Sequence, residues 1–207
     1  RAMCVTRTYL QTRAMAGLIR MQMACLIHHQ QVRRSPSLMY LQRLACRTIA
    51  ALGYGKPLPM RSTAMLERYF GGVFPQAKNL SKELCDFSEY VSAQAETAML
   101  NYDPRSALAF IWELIKKANQ YVDASKPWVL AKEGKKEELA NTLCSLMETI
   151  RTIAIVLQPF LPDSAKKILK CFGIEKEIMW REAKKWGTLV KGLQIQKSEA
   201  LFPKFEI

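Results

Sequence analysis

From Arg61 onward the apolar positions fall into stripes with helical spacing. Leu139, Leu143, Leu146, Ile150, Ile153 and Leu157 keep steps of three and four, which commits them to one face of a helix of about five turns. Pro159-Phe160-Leu161-Pro162 should stop that helix, and Asp163-Ser164 opens a shorter one running to about Cys171. Upstream, Leu108, Ile111, Leu114 or Ile115, Ala118 and Val122 form a second stripe. Its start is marked by Asp103-Pro104, a capping carboxylate followed by proline at the first helical position. Leu84, Phe87, Val91 and Ala95 form a third, with Asn79 or Ser81 as its cap. Arg61 to Phe70 reads as a short helix closed by Gly71-Gly72, because glycine takes the left-handed conformation that ends a helix. The charged run Lys132 to Glu138 (KEGKKEE) reads as a solvated connection, and after Gly173 the periodicity fades.

No alternation of strands and helices interrupts these stripes, and a lone helix of this length is marginal in water, so they must bury one another. The expected fold is all-α, an antiparallel up-and-down helix bundle over residues 61–172 with Leu143, Ile150 and Leu157 inside. Residues 173–207, with Trp180, Trp186-Gly187, Gly192 and Leu201-Phe202-Pro203, should form an irregular tail that folds back on the bundle.

Charge separates a further region. The net charge is +13, yet residues 1–66 carry ten Lys+Arg and no acid, the first acidic residue being Glu67. Two kinds of sequence are joined here. Residues 1–60 are rich in Arg, Met, Ala, Leu and Gln, with breaks expected at Arg33-Arg34-Ser35-Pro36 and from Gly53 to Pro59. Four readings of this segment stand open: a transit-like leader, a basic arm touching RNA phosphates, a poorly packed helical extension, or translated sequence never selected as protein. The lysine pairs Lys116-Lys117, Lys166-Lys167 and Lys184-Lys185 read mostly as solvated faces. The six cysteines (4, 25, 46, 85, 144, 171) form no C-x-x-C pair, and His28-His29 are adjacent and diverge on a helix, so a zinc site is unsupported. Scattered thiols suit a reducing compartment, which makes the cytoplasm the expected location, or a mitochondrion or plastid if residues 1–60 are a leader. The apolar stretches are broken by Arg or Gln short of the ~18 residues of a membrane span, so no transmembrane helix is expected.

Bundles are functionally mute, and function must rest on a site. The informative segment runs from Asn119 to Lys132 (NQYVDASKPWVLAK). It resembles the N-x-Y-(I/V)-(D/E)-x-x-x-P-W-x-L-A-K signature in the anticodon-binding domain of methionyl-tRNA synthetases. Arg61, Tyr69, Phe70, Gly72 and Pro75 resemble that family's R…Y-F-x-G-x-x-P segment. Arg151, Leu157, Pro159, Phe160, Pro162 and Ala165 resemble its R…L-x-P-F-x-P-x-x-A stretch, and Trp186, Gly192 and Leu201 to Lys204 its closing W…G…LFPK tail. The likeness covers about residues 61–204. It departs from the pattern four residues before Arg61, where the family carries Asn and this chain carries Pro57.

The resemblance implies recognition of methionine tRNA through its CAU anticodon. Trp128 would stack on a base, Arg61 and Asp123 would read base edges, and Pro127 would shape the turn that presents the tryptophan. Such roles agree with the chemistry of unstacked RNA bases, which aromatic faces and guanidinium planes hold, and a carboxylate accepts from a cytosine amino group. From chemistry alone, Trp128 could instead plug the end of the bundle, Arg61 could pair with a surface acid, and Asp123 could be a helix-end polar group. Asn119 and Tyr121 read as turn and packing residues. The family also joins methionine to tRNA using ATP and magnesium, on a catalytic domain with HIGH-like and KMSKS-like motifs. Neither motif occurs in this sequence, so no catalytic residue, cofactor or metal is expected here, and a catalytic domain would normally share the chain. The competing reading is a non-catalytic helical RNA-binding module, or a scaffold within a synthetase complex.

Overall fold

The computed structural model describes residues 58–175 and 178–196. Residues 1–57, which include the acid-free segment, its expected breaks, the histidine pair and Pro57, lie outside the described residues, as does the Leu201 to Lys204 motif. Six α-helices follow in order: α1 (Leu58–Phe70), α2 (Lys82–Leu100), α3 (Pro104–Ser125), α4 (Pro127–Lys132), α5 (Lys136–Leu157) and α6 (Pro162–Cys171), then a 3₁₀ turn (Trp180–Lys184). No β-strand occurs among the described residues, where an isolated bridge joins Val73 to Gln194. The fold is the all-α bundle expected.

Helix α5 is its axis. It packs against α1, α2, α3, α4, α6 and the 3₁₀ turn. The stripe predicted for it is buried, with Leu143 at 0%, Ile150 at 1% and Leu157 at 1% exposure. The opposite face is buried too, which the spacing does not foretell. Thr142, Ser145, Thr149 and Thr152 lie inside although they read as a polar side. Two of these hydroxyls donate to carbonyls one turn back, Ser145 to Asn141 (2.7 Å) and Thr149 to Ser145 (2.9 Å), so they enter the core without an unpaired donor. Length and a mean hydropathy of 1.3 would suffice for α5 to cross a membrane, but 94% of that window is enclosed by the rest of the bundle.

Local details depart from the sequence reading in four places. Helix α1 begins at Leu58, so Leu58 and Pro59 form its buried first turn, where proline is tolerated, and are not part of a break. Ser81, not Asn79, caps α2, accepting from the Leu84 amide at 3.4 Å. On α2 the core face is Leu84, Ser88, Val91 and Ala95. Phe87 instead faces an open groove of about 280 Å³ with Tyr90 and Phe110. The charged run is also shorter than expected: Lys132 ends α4, Lys136 begins α5, and Glu133 to Lys135 alone connect them. The start signal at Asp103-Pro104 is as expected, the Asp103 carboxylate accepting from the Ser106 amide at 3.0 Å.

The tail binds the bundle through polar contacts that converge on one buried ion pair. Arg151 Nε lies 2.9 Å from Glu148 Oε2, with the two side chains 3% and 1% exposed. Arg151 also donates to the carbonyl oxygens of Glu182 (3.1 Å) and Lys185, and Glu148 accepts from the Leu189 amide (2.6 Å). Trp180 Nε1 donates to Ser92 O at 3.1 Å.

Candidate nucleic-acid interface

The segment Ser125-Lys126-Pro127-Trp128 fixes the geometry at one end of the bundle. Proline has no amide hydrogen, and its ring disfavours α geometry in the residue before it, so α3 must end by Ser125. Lys126 takes the left-handed conformation (φ 43°) and is the junction between α3 and α4. Its carbonyl then accepts from Val129 (2.8 Å) and Leu130 (3.3 Å), starting α4 at once. Pro127 is buried, and Trp128, the next residue, is 43% exposed. The stiff, buried proline thus roots a helix whose second residue offers an indole to solvent.

Helix α1 brings Arg61 to the same end of α3. Arg61 Nη2 donates to Asn119 Oδ1 at 2.7 Å, and Asn119 Nδ2 donates to Ile115 O at 3.0 Å. The second bond settles which way the amide points and turns its oxygen to the guanidinium. Arg61 therefore has an amide partner rather than the surface acid that chemistry alone allowed. Asn119, read from sequence as a turn or packing residue, belongs with the site. Its signal was present, since it stands one helical turn before Asp123 on the same side of α3. Asp123 is exposed, with no hydrogen bond to a neighbour among the described residues. Arg61 Nε is shielded from solvent and likewise has no acceptor there, so that one donor is not used within the fold.

The arrangement thus offers an aromatic face, a planar cation and a free carboxylate around the C-terminal end of α3. Such groups have the chemistry to hold an unstacked base; there is no nucleophile next to a base in the set and no cluster of metal ligands among the described residues. Cys144, the strongly perturbed thiol among the described residues, lies elsewhere: burial, and then the Glu148 charge, push it up to about 12. Such a thiol stays protonated and unreactive.

Comparison with known proteins agrees with this architecture. Residues 74–206 match the family model described as the anticodon binding domain of methionyl tRNA ligase. Asp123, Pro127 and Trp128 fall within that match, and Arg61 precedes it. A methionine–tRNA ligase of Caldanaerobacter subterraneus subsp. tengcongensis is 34% identical over 151 residues, spanning 71% of this chain and 24% of that one. The Bacillus subtilis enzyme is 37% identical over 153 residues, spanning 70% and 23%. A crystal structure of apo Mycobacterium tuberculosis methionyl-tRNA synthetase superposes with a TM-score of 0.69 at 25% identity, covering 81% of this chain and 34% of that one. The chain spans about a quarter of the length of its curated relatives. Its bundle and its ordered motifs have one family in common, and the chain belongs to the methionyl-tRNA ligase family through that family's anticodon-binding domain.

Proposed function

We propose that the C-terminal end of α3, with α4 and the start of α1, receives the anticodon loop of methionine tRNA. Trp128 stacks on an unpaired base, Arg61 presents its fork to a base edge or phosphate, and Asp123 accepts from an exocyclic amine such as that of cytosine. Asn119 holds Arg61 in place, and Pro127 holds Trp128. The observation that carries this reading is the exposure of Trp128, 43%, directly after the buried Pro127. A tryptophan that stacks on a base must offer a face to solvent in the free protein, and Trp128 does so from a rigid mount. With no HIGH-like or KMSKS-like motif in the sequence, the reading assigns these residues recognition and not adenylate chemistry.

Binding of a CAU anticodon stem-loop, of the same hairpin with an unrelated loop, and of the Trp128→Ala variant tests it. Trp128→Ala should weaken CAU binding by the worth of one base stack, on the order of 1–3 kcal/mol. Arg61→Ala should weaken it less, since the asparagine that the family places four residues earlier is Pro57 here. Indole fluorescence, read as wild type minus Trp128→Phe, should quench on adding the CAU loop. The difference spectrum spares Trp180, whose N–H holds Ser92 O. Equal affinity for both loops would reduce the site to a generic RNA-binding bundle, and an unaltered affinity in Trp128→Ala would remove the reading.

A further inference from the structure

We infer that the C-terminal tail is a positioning element for the helix that carries Arg61, and so sets the base-reading end of the bundle as well as its stability. The inference rests on the function proposed above. Helix α1 is only 13 residues long and offers the bundle a narrow buried stripe of Leu58, Pro59, Ser62, Thr63 and Leu66. A helix this short has little stability of its own, and one stripe leaves it free to pivot. What fixes its far end is the tail. The chain leaves α1 through Gly71 and Gly72, both left-handed at φ 63° and 78°, with Gly71 donating to Glu67 O (3.0 Å) and Gly72 to Leu66 O (3.3 Å). It then pairs with the tail in antiparallel fashion. Phe74 donates to Leu193 O (2.9 Å), Gly192 to Phe74 O (3.0 Å) and Ile195 to Gly72 O (2.8 Å).

The tail is itself anchored on either side of this pairing. Upstream, the buried Glu148–Arg151 pair grips Glu182, Lys185 and Leu189. Downstream, the Gln196 amide donates to Cys171 O at 3.0 Å. A continuous path thus runs from the axis of the bundle, through the tail, to the exit of α1. Arg61 lies ten residues from that exit, a lever of roughly 15 Å at helical rise. A tilt of about 10° at the glycines would therefore move Arg61 by roughly 3 Å. That exceeds what its 2.7 Å bond to Asn119 tolerates. The tail, though remote from Trp128, decides whether Arg61 meets Asn119.

A double-mutant cycle on the full chain tests this, with the CAU stem-loop as probe and helical circular dichroism as the check on folding. Gly72→Val strains a left-handed position and drives a Cβ to within 2.8 Å of Gln194 Nε2. A second variant, the chain ended after Lys191, keeps the contacts to Glu182, Lys185 and Leu189 and removes the pairing together with the Gln196 anchor on Cys171. In the wild-type chain Arg61→Ala should weaken binding about fivefold, one ordinary hydrogen bond, and Trp128→Ala about tenfold. In either tail variant Arg61→Ala should change nothing further, while Trp128→Ala keeps its full effect. Loss of both effects together would mean general damage and would overturn the inference, as would an Arg61→Ala effect that survives at fivefold in both variants. The survival of that effect would leave the proposed function intact. Silence of Arg61→Ala and Trp128→Ala in the wild-type chain would remove both.

Discussion

The axis of the bundle and its reading end treat polar groups in opposite ways. On α5 a carboxylate and a guanidinium lie almost wholly out of water, and each is satisfied by the other and by backbone atoms of the tail. At the end of α3 the same two chemical types, Asp123 and Arg61, stand less than fully engaged, and Trp128 at the start of α4 is exposed. Burial of a charge is tolerated only with partners, so the first arrangement is structural and breaks when one member goes. An exposed, unpaired carboxylate such as that of Asp123 contributes little to folding and remains available to a ligand. The contrast separates residues that hold the domain together from residues it presents.

The largest test of that contrast is Arg151→Met. It leaves the Glu148 charge buried with the Leu189 amide alone and takes the donor from two tail carbonyls. The expected cost is about 3–5 kcal/mol in urea denaturation. The double variant Glu148→Leu/Arg151→Met should lose less than the two single losses combined, because no lone charge remains. A loss below about 1 kcal/mol for Arg151→Met would show that water reaches the pair, and the axis would no longer differ from the reading end. Next in size is Ile150→Ala, at the centre of α5, which should cost about 2–5 kcal/mol for a site this enclosed. Trp128→Ala, in the same assay, should stay within about 0.5 kcal/mol of wild type. Equal losses at both positions would make Trp128 part of the core.

These residues also show what the sequence can convey. Period reveals which helices exist and one buried face of each, so Leu143, Ile150 and Leu157 were legible. It cannot reveal that a helix is enclosed on every side when its other face is built from Ser and Thr, because those hydroxyls look polar until they donate to their own backbone. Glu148 and Arg151 were hidden for the same reason: a charged pair three residues apart reads as a solvated face unless the tail that covers it is known. Phe87 was misassigned because it shares the helical phase of Leu84 and Val91, whereas the residue that is fully buried there is the small Ser88. At the reading end, Pro127 and Trp128 stood out by type and order. Asn119 shows in sequence only its phase with Asp123, since its role depends on α1 crossing the end of α3, a contact 58 residues away in sequence.

Thiol chemistry sharpens the comparison further. Burial, then the Glu148 charge, push Cys144 up to about 12, against an ordinary value of 9.0. Cys85 is raised less, by partial burial and the nearby Glu89 carboxylate. Alkylation at pH 8 mapped by peptide should therefore mark Cys85 well before Cys144. Below 9.0 the thiol is protonated in both states, and above it the unfolded thiol ionises first, which favours unfolding. Its contribution is whole below 9.0 and is lost as pH rises toward about 12. Between those limits stability should fall by at most about 1.4 kcal/mol per pH unit from this group. Cys144→Ala should flatten that alkaline limb, and an unchanged slope would place Cys144 in contact with water.

The smallest expected effect compares two aspartates on one helix. Asp103 caps the start of α3, where the Ser106 hydrogen bonds hold its carboxyl below the ordinary value of 3.8. A depressed carboxylate stabilises the fold above its unfolded value and loses that contribution as pH falls through the folded one. Asp103→Asn keeps an oxygen acceptor for the Ser106 amide, and Asn caps as well as Asp, so melting at neutral pH should hardly move. What should change is the acid side, where the variant loses its share of the pH dependence below about 4. Asp123→Asn, at the other end of α3, caps nothing among the described residues and should leave neutral stability alone. Its effect should show in RNA binding, because the amide offers one acceptor where the carboxylate offered two and adds a donor facing the cytosine amine. A melt shifted by Asp123→Asn and left in place by every acid-side comparison at Asp103 would reverse the roles given to the two ends.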